Sequence, residues 1–262
     1  MIWSDLQTTN LENAKLKAEE KTPKAFKMFM AANFFLWVTP KNAGVFASRF
    51  KICKRYLQSN MHLWKWVLKM SALMNEKVVW DEEELNADDS PLFIGSVDGV
   101  DFNIWEKPSD RYNIDSDLMS YKSRHGAYRY LIACSVWHSK CIYVHGPVKA
   151  GEVVDLGLFR ADLKAKMLAM PGKMLVADRG FQTSEPDEVG IFAIPNPRDS
   201  RELATFKARV RQRQEIFNGR LKHHKILQDV FRFASDKHQH VVHAVVTRVQ
   251  YAMESGSPLF DP

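Results

Sequence analysis

Apolar side chains crowd at helical spacing between residues 24 and 78. Phe26, Phe29, Phe34 and Leu36 share one segment, which Pro40 should end. Leu63, Trp66, Val67, Met70, Leu73 and Met74 recur at intervals of three and four, so this region is expected to hold about three helices packed through a Trp and Met stripe. Residues 1–22 are polar and charged and read as a flexible lead-in or a helix exposed on most sides. Residues 81–90 (DEEELNADDS) carry six acidic side chains, a solvated run of the kind that marks a linker.

Beyond that run the period changes. PLFIGSVDGVDFNIW alternates and is rich in strand formers. YRYLIACSVW and KCIYVHGPV follow, and the short loop His138-Ser139-Lys140 predicts that these two pair as a hairpin. Leu156 to Met170 reads as a helix ended by Pro171-Gly172, KMLVADRGF as a buried strand entering a turn, and GIFAIPNP as another strand. A long helix should start near Asp199, whose spacing to Glu202 fits a capping box. Its apolar stripe runs through Leu203, Phe206, Val210, Phe217 and Leu221. A last helix covers roughly 237–253. Three strands, helix, strand, strand, long helix and helix call for an α/β fold: a mixed sheet flanked by helices, preceded by a small helical domain. The expected boundaries are 1–80 for the helical region, 81–90 for the linker and 91–262 for the sheet domain.

Composition narrows the function classes. The 262 residues are 45% hydrophobic and 26% charged, which is ordinary for a globular chain. Three cysteines, none in a C-x-x-C pair, argue against a disulfide scaffold or a cysteine zinc site. The most apolar run, AANFFLWV at 31–38, is too short to span a bilayer, and no membrane partner is expected. The opening residues lack the pattern of a secretory signal. The formal charge of +6 favours a polyanionic partner. Residues 198–225 hold nine Lys/Arg against three Asp/Glu, so this one stretch matches the excess of the whole chain.

Three acids stand out by position. Asp98 lies inside an apolar strand, Asp178 ends one, and Glu215 sits on the basic helix. A charge in a buried strand is costly unless paired or bound to metal. Clustered carboxylates repel one another, and a hard cation such as Mg²⁺ or Mn²⁺ removes that repulsion. Each acid also fits a structural role. Asp98 could end its strand through a turn with Gly99, Asp178 could pair with Arg179 or cap a turn with Gly180, and Glu215 could pair with Arg211. Glu215 lies off the apolar stripe, so periodicity does not turn it inward. The histidines at 223, 224, 238, 240 and 243 read as surface or packing residues, and His125 as a turn residue or a phosphate contact. Residues 26–75 read as packing or dimerisation helices, or as a degenerate helix-turn-helix.

Five segments in order resemble the DDE endonuclease domain of the Harbinger-type transposases and their domesticated relatives. VDGV is similar to the family's first-aspartate strand, and YKSRHGAYRYLIACSV to its second strand with the basic turn before it. GPVKAGEVVDLGLFR resembles a glycine, then aspartate, then phenylalanine-arginine motif, with Val154-Asp155 where the family often has His-Asp. VADRGF resembles the second-aspartate motif and EIFNGRLK the glutamate helix. The resemblance covers about residues 91–255 and implies a ribonuclease H-like fold. It makes Asp98, Asp178 and Glu215, which lie 80 and then 37 positions apart, the metal-binding catalytic triad, with Asp155 a secondary candidate. Two divalent ions, Mg²⁺ or Mn²⁺, would serve phosphodiester cleavage. Arg124, Lys207, Arg211, Arg220 and Lys222 are the expected DNA contacts. The partners implied are DNA, a separate Myb-like DNA-binding protein and a second copy of the chain. The compartment implied, for a eukaryotic source, is the nucleus. Two alternatives stay open: a domesticated, catalytically idle protein that binds DNA or a partner, and an enzyme using only the Asp98-x-x-Asp101 pair.

Overall fold

The computed structural model describes residues 1–38, 48–51, 61–87, 91–105 and 115–260. The helix stop expected at Pro40, Cys53 and the end of the acidic run at 88–90 lie outside the described residues. The elements are α1 (Ile2–Thr8), α2 (Pro23–Val38), α3 (Met61–Ala72), α4 (Met74–Lys77) and α5 (Glu82–Asn86), then β1 (Phe93–Asn103), β2 (Ala127–Ser135) and β3 (Cys141–Lys149). Helix α6 begins as Asp155–Leu158, passes through a π-helical turn at Phe159–Leu163 and resumes as Lys164–Leu168. It is followed by β4 (Met174–Val176), β5 (Phe192–Ala193), α7 (Arg201–Lys222), α8 (Lys225–Gln228) and α9 (His238–Glu254). The chain forms two compact units, one of residues 1–77 with 220–252, the other of 78–219 with 253–262.

The first unit is helical. Leu6, Leu36, Val67, Met70, Leu73, Val241 and Val245 are buried in it, each contributing roughly 1.5–3 kcal/mol by leaving water. Residues 1–22 are not the loose lead-in expected from their polarity. Leu6, Ala14 and Leu16 are buried, and buried Glu20 pairs with Lys65 and, at 3.2 Å, with Lys69. Lys69 in turn donates to the Lys15 carbonyl at 2.6 Å, so the segment is tied down by its buried apolar residues and by Glu20. The C-terminal histidines pack as expected: buried His224 meets the edge of Trp37 and buried His238 the edge of Phe231.

The second unit is a five-stranded mixed sheet in the order β3-β2-β1-β4-β5. β1, β2 and β3 form an antiparallel meander, with the β2–β3 hairpin closing over 136–140 as the short loop predicted. β4 and β5 continue the sheet in parallel. One face packs on α6 through Val97, Leu131, Leu158, Phe159, Leu163 and Leu175. The other face packs on α7 through Val176, Ala193, Val210, Phe93 and Phe206. This is the ribonuclease H-like α/β arrangement.

Two local expectations change. The acidic run is folded rather than merely solvated: Asp81 caps α5 by accepting the Glu84 N–H at 3.0 Å, Glu84 pairs with Lys140 at 2.9 Å, and Leu85 is buried against the sheet core. The cap of α7 is Ser200, whose Oγ accepts the Leu203 N–H at 3.2 Å. Asp199 instead takes the Lys207 ammonium at 2.9 Å and the Asn196 N–H at 3.0 Å.

A candidate metal and catalytic site

Side chains alternate across a strand, so residues two apart share a face. Ser96 on β1 lies opposite Val176 on β4 in the parallel pair. Two residues beyond each, at the same ends of adjacent strands, stand Asp98 and Asp178. Both therefore leave the sheet on the face covered by α7. Glu215 comes to them from that helix, and the three carboxylates line one pocket of about 180 Å³ together with Ser96, Lys122, Arg211 and Gln214.

Each acid is held differently. Asp98 Oδ2 accepts the Asn218 amide at 2.8 Å. Asn218 also accepts from Gln214 at 3.3 Å, and Gln214 accepts from the Ser96 hydroxyl at 2.7 Å, so a buried polar chain runs from β1 into α7. Asp178 Oδ1 accepts the Gly180 N–H at 2.8 Å, one of the structural roles open to it, which fixes its carboxylate at the end of β4. Glu215 is exposed, and among the described residues no ion pair joins it to Arg211.

Burial raises the Asp98 pKa to about 6; Lys122 opposes this, while the neighbouring charges of Asp155 and Asp178 add to it. A cation would relieve that penalty. The donor set is oxygen only, without cysteine or histidine, which suits a hard divalent ion. Among the described residues no group of three His, Cys, Asp or Glu side chains is placed to hold a metal ion as it stands. The residues fit a hard divalent ion in chemical kind, and would have to draw closer to hold one.

Asp155 stands on the opposite face of β1. The close approach is made at Gly99, where an added Cβ would fall 1.9 Å from Asp155 Oδ1. Asp155 pairs with Arg129 at 3.4 Å and Lys122 at 4.0 Å. Burial pushes its pKa up, with Arg129 and Lys122 opposing. Asp101 shares the Gly99 face. It takes Arg129 Nε at 2.7 Å and the Ser120 hydroxyl at 2.6 Å, and these bonds hold it below the usual carboxylate range despite its burial. An Asp98–Asp101 pair is thereby excluded as a shared site, because a separation of three puts the two side chains on opposite faces.

Of the expected DNA contacts, Arg211 lines the acidic pocket. Arg124 is exposed in the turn before β2, with a left-handed φ of 55°. Arg220 and Lys222 lie in the last turn of α7, within the helical unit. Lys207 is buried and its ammonium bonds Asp199 and the Ile194 carbonyl at 2.9 Å, so it is spent on holding the start of α7. Sequence reasoning passed over Lys122, Gln214 and Asn218. Lys122 sits in the basic turn already singled out; the two amides gave no signal, because polar helix residues ordinarily face water.

Arg160, the arginine of the LFR segment, binds buried Glu188 through Nε at 2.7 Å and Nη2 at 2.8 Å, and Lys164 joins them at 3.0 Å. The Arg160 hydrogen bond leads in holding the Glu188 pKa down to about 2, with Thr183 and Lys164 assisting. A carboxylate lowered on folding stabilises above its unfolded pKa and loses that contribution as pH falls through the folded value. Glu188→Gln should therefore cost roughly 2–3 kcal/mol at pH 7. The gap to wild type should narrow as pH falls from 4.5 towards 2; urea unfolding at pH 7 and pH 3 would check it, and a constant gap would show that the Arg160 pairing is not the cause.

A family model described as DDE superfamily endonuclease matches residues 97–247, more than half of the chain. No curated protein and no solved structure matches it.

Proposed function

Because this chain belongs to the DDE superfamily endonucleases, we propose that it hydrolyses DNA phosphodiester bonds by a transposase-type mechanism, with strand transfer as the partner reaction. The observation that carries this reading is the meeting of Asp98, Asp178 and Glu215, from two strands and a helix, in one pocket with Arg211 and Lys122. These three acids would hold two divalent ions, Mg²⁺ or Mn²⁺. Such ions, when bound, make a water nucleophilic at neutral pH and stabilise charge on the attacking and leaving oxygens.

The protein's own part is placement. Asn218 fixes one oxygen of Asp98, and the Gly180 N–H one oxygen of Asp178. Arg211 and Lys122 offer cations at the pocket wall for the phosphates on either side of the cut. Arg124, on the same basic turn as Lys122, extends that contact; Arg220 and Lys222, which belong to the helical unit, are proposed as separate phosphate contacts. Asp155 acts from behind the strand, orienting Arg129 and Lys122. A Myb-like partner would supply sequence recognition, a second copy of the chain would complete the assembly, and a eukaryotic source would place the work in the nucleus.

The test is nicking of supercoiled plasmid with Mn²⁺ by wild type and by Asp178→Asn. Cleavage by wild type alone is expected. Equal cleavage by both would remove Asp178 from the site. If neither cleaves, Mn²⁺ titration of the free proteins decides: Asp178-dependent binding keeps the metal site and points to a missing partner. Its absence favours the idle, domesticated protein.

A further inference from the structure

Helix α7 has a second working face. Arg201, Thr205, Arg209 and Arg213 recur every four residues along it, away from Glu215. With Trp137, Phe206 and Phe260 they line a groove of about 700 Å³. Among the described residues none of the three guanidinium groups has a carboxylate partner. The one acid of the lining, Glu202, is held by Ser200 and by its own backbone N–H. Arg213 lies on the Phe260 ring at 3.5 Å and donates to the Val136 carbonyl at 2.9 Å. Burial, and then the adjacent charge of Arg209, lowers its pKa, the mark of two cations placed side by side without an anion.

Trp137 is the other half of the groove. It is 47% exposed, large for an indole, yet it is not loose. Its N–H is donated to the Phe93 carbonyl at 2.6 Å and its ring leans on Phe206 at 6.4 Å between centroids. An exposed ring locked in one orientation beside unmatched guanidinium groups offers a face for stacking and charge for phosphates. Duplex DNA keeps its base faces stacked inside and cannot use the ring. An acidic peptide would use the cations and leave the ring idle.

We propose that this groove binds an unpaired stretch of DNA strand, one base stacked on Trp137 and its phosphates on Arg201 and Arg209. Arg209 and Glu215 are six residues apart, about 9 Å along the helix axis. The groove and one of the acids are thus carried by the same helix. The choice of DNA rests on the nuclease reading; the groove's chemistry does not.

The experiment is anisotropy of a labelled thymidylate oligomer of about fifteen nucleotides, titrated with the full chain in EDTA, against a blunt duplex of equal length. The oligomer should bind more tightly than the duplex. Trp137→Ala and Arg209→Ala should each weaken it about tenfold, while Trp137→Phe, which keeps a ring, should retain most of the affinity. Thermal melts of each variant control for folding, and Arg209, exposed on α7, can be removed with little structural effect. Unchanged binding in Trp137→Ala and Arg209→Ala would overturn the proposal. So would displacement of the oligomer by polyglutamate as readily as by unlabelled thymidylate. Oligomer binding through Trp137, with neither plasmid nicking nor Asp178-dependent Mn²⁺ binding, would keep the groove and lose the nuclease reading. Nicking with indifference to these substitutions would do the reverse.

Discussion

Asp98→Asn should abolish plasmid nicking and at the same time make the metal-free protein more stable. The loss of activity should be about a thousandfold or more. Removing a ligand forfeits several kcal/mol of charge stabilisation, and each 1.36 kcal/mol is a factor of ten in rate. The gain in stability follows from the sign of the pKa shift. Folding raises the Asp98 pKa to about 6 from an ordinary 3.8, chiefly by burial. The folded state therefore holds its proton more tightly than the unfolded chain does. Stability is then greatest below the unfolded pKa and falls as pH rises towards the folded one. At pH 7 the wild-type protein carries that penalty in full, roughly 2 kcal/mol after allowance for relaxation. Asparagine carries none of it and can still accept the Asn218 amide. Melting in EDTA should show the variant higher by about 5 °C at pH 7, the difference vanishing near pH 4. A lower melting temperature at pH 7 would mean that the carboxylate is satisfied without metal. Wild-type Mn²⁺ affinity should in turn rise with pH between 5 and 7, as the proton gives way.

Gly99→Ala should cost the sheet unit several times what an ordinary single-methyl change does. The new Cβ would sit 1.9 Å from Asp155 Oδ1 and 2.3 Å from its Cγ, inside any permitted contact. Asp155 is a short, half-buried side chain ion-paired with Arg129 at 3.4 Å, so turning away from the new methyl would break that pair. Overpacking of this kind costs about 3 kcal/mol, and β1 must shift to relieve it. Asp98 moves with the strand, so nicking should fall at least as steeply as stability. Gly99→Ala with Asp155→Ala should be more stable than Gly99→Ala alone, a positive interaction in a double-mutant cycle. If removing the carboxylate brings no recovery, the clash is not the cause.

What the residues disclosed, and what they withheld, divides along physical lines. Strand alternation and apolar context were enough to mark Asp98 and Asp178, because an acid in a buried strand advertises its own cost. They could also have excluded Asp101 as a partner of Asp98, since three is an odd number of strand steps. The π-helical turn in α6 left no trace in the apolar pattern. Gln214 and Asn218 were invisible because they are buried by a polar pocket rather than an apolar core, and hydropathy does not distinguish that from solvent. Lys207 was counted with the phosphate-binding cations because charge is legible in a sequence while pairing is not: its partner Asp199 lies eight positions away, beyond the spacings at which helical neighbours meet. The same reason hid the packing of residues 1–22, whose Glu20 is matched by Lys65 and Lys69 across more than forty positions.

The two faces of β1 are unequal in bulk, and this bears on how the sheet finds its alignment. Gly95 and Gly99 stand on one face, Ser96 and Asp98 on the other. A Cβ at Gly95 would lie 3.0 Å from the Cys134 carbonyl oxygen, and one at Gly99 inside the Asp155 carboxylate. A slip of one residue against β2 turns every side chain over. It would press Ser96 and Val100 into the spaces that only glycine fits, and bury Asp98 against the apolar layer under α6. Misaligned hairpins are thus rejected at two separated points along the strand. The glycines that leave room behind Asp98 would then also act as a proofreading device during folding, so that a chain which completes its sheet has already put Asp98 and Asp178 on the α7 side.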